Sequence, residues 1–243
     1  DHDNEGPLNA LFSLQDGTVD ARNFLDRVEL LGDGITSNIT FLGSDNGDTL
    51  GGGSGNDTLN PGSSHLDPDG QGDVLISSGG NDTYVFSDVD FYQNGVDLIY
   101  ARNAAGIVAN LNGATNTGTI GHGDGTDTLV DIANLLSSDG GFSLFGSAHA
   151  DQFTVTTAQG QWMGVFGGDG VDAYNLTLNG NLRLDFSGNW DDWRGATSGL
   201  VINIATGVIA NDGYGNAETL TLIQGTGRLE IAEIALERRA GFD

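Results

Sequence analysis

The sequence predicts an all-β fold of short strands wound into stacked coils, a parallel β-roll or β-helix. Three observations carry that prediction. Residues 43–60 read GSDNGDTLGGGSGNDTLN, two nine-residue units head to tail, with Asp48 and Asp57 at matching positions and Thr-Leu after each. Asp73 and Asp82 repeat the nine-residue spacing, each 25 residues beyond its counterpart. Glycine supplies 40 of the 243 residues and proline only 3, a composition of tight turns without a collagen period.

The elements follow in order. Residues 1–42 form an N-terminal cap and first coils, with short strands expected at Val28–Leu31 and around Ile39 and Phe41, because β-branched and aromatic residues there are bounded by Gly and Asn. A stack of coils needs such a cover, since an open end invites edge pairing. Residues 43–90 carry the nine-residue rhythm, interrupted by an inserted loop at 61–72 that holds two of the prolines. Beyond Val85 the rhythm stops, and longer apolar runs separated by Gly, Asn and Asp predict further coils across 91–240. One helix at most is expected, at 131–137. The later half echoes the earlier: 81–86 with 171–176, 106–111 with 199–204 and 125–129 with 216–220, at offsets of 90 to 93 residues. That is an internal repeat of about ninety residues, with copies at roughly 81–150 and 171–240. The whole chain then makes about ten to twelve short coils.

Residues 52–60 match the nonapeptide G-G-x-G-x-D-x-(apolar)-x at every position. On that stretch, and on the spacing of Asp73 and Asp82, the chain resembles the RTX (repeats-in-toxin, haemolysin-type) calcium-binding family. The resemblance implies a right-handed parallel β-roll in which two nonapeptides make one coil, with several Ca2+ ions held between stacked turns. Carried over, the ligands are Asp48, Asp57, Asp73 and Asp82, with Asp45 and the turn glycines Gly53, Gly55 and Gly80. A coil of two nonapeptides makes the 25-residue interval one coil plus the insertion. Asp48 is then expected over Asp73, and Asp57 over Asp82, on opposite edges. Asp151 and Asp172, with Gly168 and Gly170, make a third candidate site, and Asp127 is a further ligand candidate. In the second copy Glu218 stands where the first has Asp127, and Asp151 aligns loosely with Glu237, in a C-terminal coil that has lost its glycines and, on that ground, its metal. The chemistry is consistent: Ca2+ takes six to eight hard oxygen ligands, and glycine turns leave carbonyls unshielded.

Charge points the same way. Thirty-four acidic residues against eight basic ones, all arginine, give −26. A field of that sign repels nucleic acid and anionic membranes, and carboxylates at this density oppose compaction unless a cation screens them. No cysteine is present, so neither disulfides nor thiol chemistry staple the fold. No apolar run approaches a membrane span. The absence of an initiator Met and of a signal-peptide pattern suggests a mature product or an excised segment.

Catalytic signatures are missing: there is no H-E-x-x-H and no G-x-S-x-G. The four histidines (His2, His65, His122, His149) read as scattered loop residues. Residues 189–194 (NWDDWR) place two tryptophans around Asp191 and Asp192, with Arg183 and Arg194 as possible groove cations. That pattern keeps open a β-helical polysaccharide lyase or epimerase, or its substrate-binding module; an insertion loop capping a coil is the simpler reading. An adhesin or surface-layer segment, whose partner is an extracellular polysaccharide or a cell surface, is the other alternative. The leading expectation is a non-enzymatic, calcium-binding structural module of a secreted bacterial protein, exported by type I secretion as the resemblance implies, and folding on calcium outside the cell.

Overall fold

The computed structural model describes residues 8–9, 17–62, 72–87, 95–137, 141–186 and 198–232. The chain alternates between two sheets. The first contains β1 (Leu8–Asn9), β3 (Val28–Leu31), β5 (Thr49–Gly51), β7 (Asp73–Ile76), β9 (Val96–Ile99), β13 (Phe142–Phe145), β15 (Trp162–Phe166), β17 (Asn181–Asp185) and β21 (Leu229–Ala232), hydrogen-bonded in that order and parallel throughout. The second holds β2 (Gly17–Asp20), β4 (Ile39–Leu42), β6 (Thr58–Asn60), β8 (Thr83–Val85), β10 (Val108–Asn112), β11 (Thr117–His122), β12 (Gly125–Val130), β14 (Gln152–Thr157), β16 (Ala173–Leu178), β18 (Val201–Asn203), β19 (Val208–Asn211) and β20 (Glu218–Gln224). Each coil therefore contributes a strand to both sheets, as an all-β parallel coil requires.

The strands are short because each coil must turn, and they alternate because one face is buried. In the first sheet Leu30, Leu50, Leu75, Leu98, Leu144, Val165 and Leu184 stand in register, one per coil, all buried. Opposite them Phe41, Leu59, Tyr84 and Leu129 form the matching column of the second sheet. Further on, Phe153 and Tyr174 stack with ring centroids 5.4 Å apart and planes 7° from parallel. The core is thus a series of like-on-like rungs. Truncating one rung, as in Leu98→Ala, is expected to destabilise the chain by about 2–5 kcal/mol, measured by thermal melting.

The second sheet departs from uninterrupted parallel coils. β10, β11 and β12 run antiparallel as two successive hairpins, and β18, β19 and β20 do the same. The order β8–β12–β11–β10 recurs as β16–β20–β19–β18. The turns follow from their residues. Gly123 and Asp124 join β11 to β12, and Gly207, with φ 68°, lies in the β18–β19 turn. Strand alternation specifies a half-buried strand but not its direction, so the sequence reads these segments only as further coils. A single helix, α1 (Ile132–Leu136), follows β12 and buries Ile132, Leu135 and Leu136. Among the described residues no helix is long and apolar enough to cross a membrane.

Candidate functional site

The turns between the sheets carry the acidic residues, and the coil stacking converts their sequence spacing into columns. At one edge Asp48 and Asp73 lie on adjacent coils, the Asp48 N–H donating to Asp73 Oδ1 at 2.8 Å. At the other, Asp57, Asp82 and Asp127 follow one another: the Asp57 N–H donates to Asp82 Oδ1, and the Asp82 N–H to Asp127 Oδ1, both at 2.8 Å. A second run on the same sheet begins at Asp151, whose N–H donates to Asp172 Oδ1 at 2.8 Å, and continues to Glu218 on the next strand. All of these acids are at most 3 % exposed.

Three of these carboxylates, Asp48, Asp57 and Asp151, bind backbone in two directions. Asp57 Oδ1 accepts from the Ile39 N–H of the preceding coil at 2.9 Å, and Oδ2 from Gly53 N–H in its own turn at 2.6 Å. Asp48 accepts in the same way from Val28 and Ser44, at 2.7 and 2.5 Å, and Asp151 from Ile107 and Ser147, at 2.7 and 2.6 Å. The serines add hydroxyl donors: Ser78 Oγ lies 2.6 Å from Asp82 Oδ2. An asparagine column, which includes the residues before Asp57 and Asp82, stitches the other way. Asn38 Oδ1 accepts from Asn56 N–H, Asn56 Oδ1 from Asn81 N–H, and Asn81 Oδ1 from Thr126 N–H, each at 2.9 Å. An Asn-Asp pair therefore ties its coil to both neighbours. The asparagines escaped notice in the sequence, where N-D twice before Thr was the available signal.

The turn glycines permit the close stacking. Gly55 lies against the carbonyl of Ser37, Gly80 against that of Gly55, and Gly125 against that of Gly80, so a Cβ on any of them would collide with the coil before it. Gly80 also has φ 106°, as Gly168 has 90° and Gly170 126°. Gly53 abuts the Ile35 carbonyl, and Asp45 occupies an exposed turn position. Gly80→Ala combines strain with collision and is expected to destabilise by about 2 kcal/mol or more. Gly34→Ala, at φ 79° with open space around it, isolates the strain. Equal losses in melting temperature for the two would remove the stacking argument.

Burial raises the proton affinity of four of these acids. Desolvation pushes Asp82 and Asp151 up to about 6, and Asp172 to about 8, the charge of Asp151 adding to the last. Glu218 rises to about 9, through burial and then the charges of Asp172 and Asp212. Neither carboxylate oxygen of Glu218 has a donor among the described residues. Asp212 is differently placed: its Oδ1 accepts from the backbone N–H groups of Tyr214, Gly215 and Asn216 at 2.8–2.9 Å.

Asp127 has a private environment. Tyr100 donates to its Oδ2 at 2.5 Å, and His122 Nε2 lies 3.2 Å from its Oδ1. His122 is therefore not a loop residue: it ends β11 with its side chain 1 % exposed, and Asp127 raises its proton affinity. Antiparallel pairing of β11 with β12 brings the two together. His149 lies in an exposed turn, while His2, His65, Glu237 and residues 189–194 fall outside the described residues. Arg183 is paired with Asp185 at 2.5 Å, which leaves that guanidinium committed to an ion pair.

A calcium ion fits the chemistry of these turns. The donors are hard oxygens, and a carboxylate offers about four acceptor sites, of which Asp57 uses two in the hydrogen bonds above. Among the described residues no three His, Asp or Glu side chains converge on one point, so a cation here would draw on turn carbonyls for much of its shell. Comparison of the chain with protein-family models, curated proteins and solved structures returns no match.

Proposed function

We propose that the chain is a calcium-binding structural module of a secreted bacterial protein, whose stacked coils are completed by calcium outside the cell. The observation that carries this is the stacking of buried carboxylates, coil upon coil, in a chain of net charge −26. Like charges in a low-dielectric edge repel, and protons satisfy them only incompletely near neutrality. A divalent cation relieves that repulsion and bonds adjacent coils. Asp57 with Asp82, Asp48 with Asp73, and Asp151 with Asp172 would hold the ions, together with carbonyls of their turns. The ions supply cross-linking rather than catalysis. Millimolar extracellular calcium and low cytosolic calcium would make folding follow export, because a ligand that binds only the folded chain stabilises it in proportion to its concentration.

The test is calcium stoichiometry by equilibrium dialysis for the native chain and for Asp57→Ala, with folding checked by circular dichroism. The variant is expected to bind fewer ions. An unchanged stoichiometry in a folded variant would overturn the ligand assignment.

A further inference from the structure

The outer face of the second sheet has a pattern that calcium binding does not use. Across six adjacent strands, β12, β11, β10, β14, β16 and β20, one register row reads Thr128, Thr119, Asn110, Thr154, Asn175, Thr221, all exposed. Two residues along, on the middle four of these strands, stand Thr117, Asn112, Thr156 and Thr177, flanked by Val130 and Ile223. The first row continues through Thr83, Thr58 and Thr40. Each of the six strands thus carries Thr or Asn in its central outward position, and most carry it twice.

Composition does not produce this. The six strands offer eighteen outward positions, three per strand, and none is charged, although 17 % of the chain is. The corresponding row of the first sheet is an internal control. There Glu29, Asp97, Arg183 and Glu230 share a row with Thr49, Val74, Ser143 and Gly164. The six strands of the second sheet carry no outward charge, whereas the single corresponding row of the first sheet carries four.

The chemistry narrows what such a face could bind. It carries no charge for an ion or a charged polymer. None of its outward positions is aromatic, which removes the stacking surface that sugar rings use. It has no central aromatic or Arg anchor of the kind that carries protein interfaces. What it presents is a lattice of hydroxyls, amides and methyls, spaced about 4.8 Å between strands and about 6.7 Å along them. Threonine is stiff at χ1, so the lattice is ordered before anything binds, and little side-chain entropy is lost on contact.

We propose that this face binds ice. Water oxygens in hexagonal ice repeat at comparable distances, and they present an uncharged lattice of donors and acceptors. The hydroxyls and amides would take the place of lattice waters, while the threonine methyls would hold water between them in an ordered layer.

The experiment uses the full chain in calcium buffer at micromolar concentration, with thermal hysteresis and ice-crystal habit as readouts. The native chain is expected to facet growing ice and to show hysteresis well above an equal concentration of serum albumin. Thr119→Lys and, separately, Thr154→Lys are expected to reduce that hysteresis at least tenfold with unchanged circular dichroism. Thr49→Lys, on the opposite sheet, is expected to leave it unchanged. Thr128→Lys gives an independent reading should either of the first two melt early. Rounded ice and no hysteresis from the native chain, or full activity in the folded lysine variants of this face, would overturn the proposal. So would retention on an insoluble neutral glucan without hysteresis.

Discussion

Stripped of calcium by EGTA, the chain is expected to lose most of its β-sheet circular dichroism at 37 °C, and to regain it when calcium is restored to millimolar excess. The size of the effect follows from the columns. The proposed function puts one ion at each of three stacked pairs, Asp48 with Asp73, Asp57 with Asp82, and Asp151 with Asp172. Each site filled at a hundred times its dissociation constant adds about 2.7 kcal/mol, so three add about 8 kcal/mol, against a typical total stability of 5–15 kcal/mol. Removing that contribution leaves the apolar rungs and the backbone stitching to oppose the repulsion of buried carboxylates. Magnesium at the same concentration should restore much less, since it demands a tight octahedral shell and gives up its waters reluctantly. A melting temperature indifferent to EGTA would sink the folding switch and leave the aspartates as backbone caps alone.

What the sequence shows depends on how far apart the partners are. Asp48, Asp57, Asp73 and Asp82 were legible because their spacing of nine residues is local and periodic. Tyr84, Phe153 and Tyr174 each follow an aspartate by two, a local spacing that turns the side chain inward from the strand, and all three are buried. The environment of Asp127 was not legible. Tyr100 lies 27 residues before it, and His122 reaches it only because β11 runs antiparallel to β12, a direction that alternation does not encode. The threonine row is the extreme case. Its members on β8 and β12 are 45 residues apart and meet only through register. Within any one strand, T-x-T reads as ordinary β-propensity. The N-D dipeptide is local but resembles a turn signal, and its partners lie 18 to 45 residues away, so its acceptor role appears only when coils stack.

Without metal, the protein is expected to be more stable at pH 5 than at pH 8. Asp172 and Glu218 have folded-state pKa values of about 8 and about 9, raised from 3.8 and 4.5 first by burial and then by neighbouring carboxylates. Asp82 and Asp151 rise to about 6 for the same first reason. Between the unfolded and folded values the folded chain holds protons that the unfolded chain has released, so stability falls as pH rises. The stabilisation is complete below about pH 4 for these groups and is lost progressively up to about pH 9. A pKa unit is worth about 1.4 kcal/mol, and a kcal/mol moves the melting temperature of a chain this size by about 2–4 °C. The melting temperature in EGTA is therefore expected to fall by about 10 °C or more from pH 5 to pH 8. Glu218→Gln removes one of the two most shifted groups and the charge facing Asp172, so it should flatten the slope and raise the metal-free melting temperature at pH 8. Saturating calcium should flatten the slope too, because a bound divalent ion favours the ionised form that burial opposes. The two manipulations act on the same repulsion by different means. A slope that survives both would locate the pH dependence outside the Asp172–Glu218 pair and separate it from calcium binding.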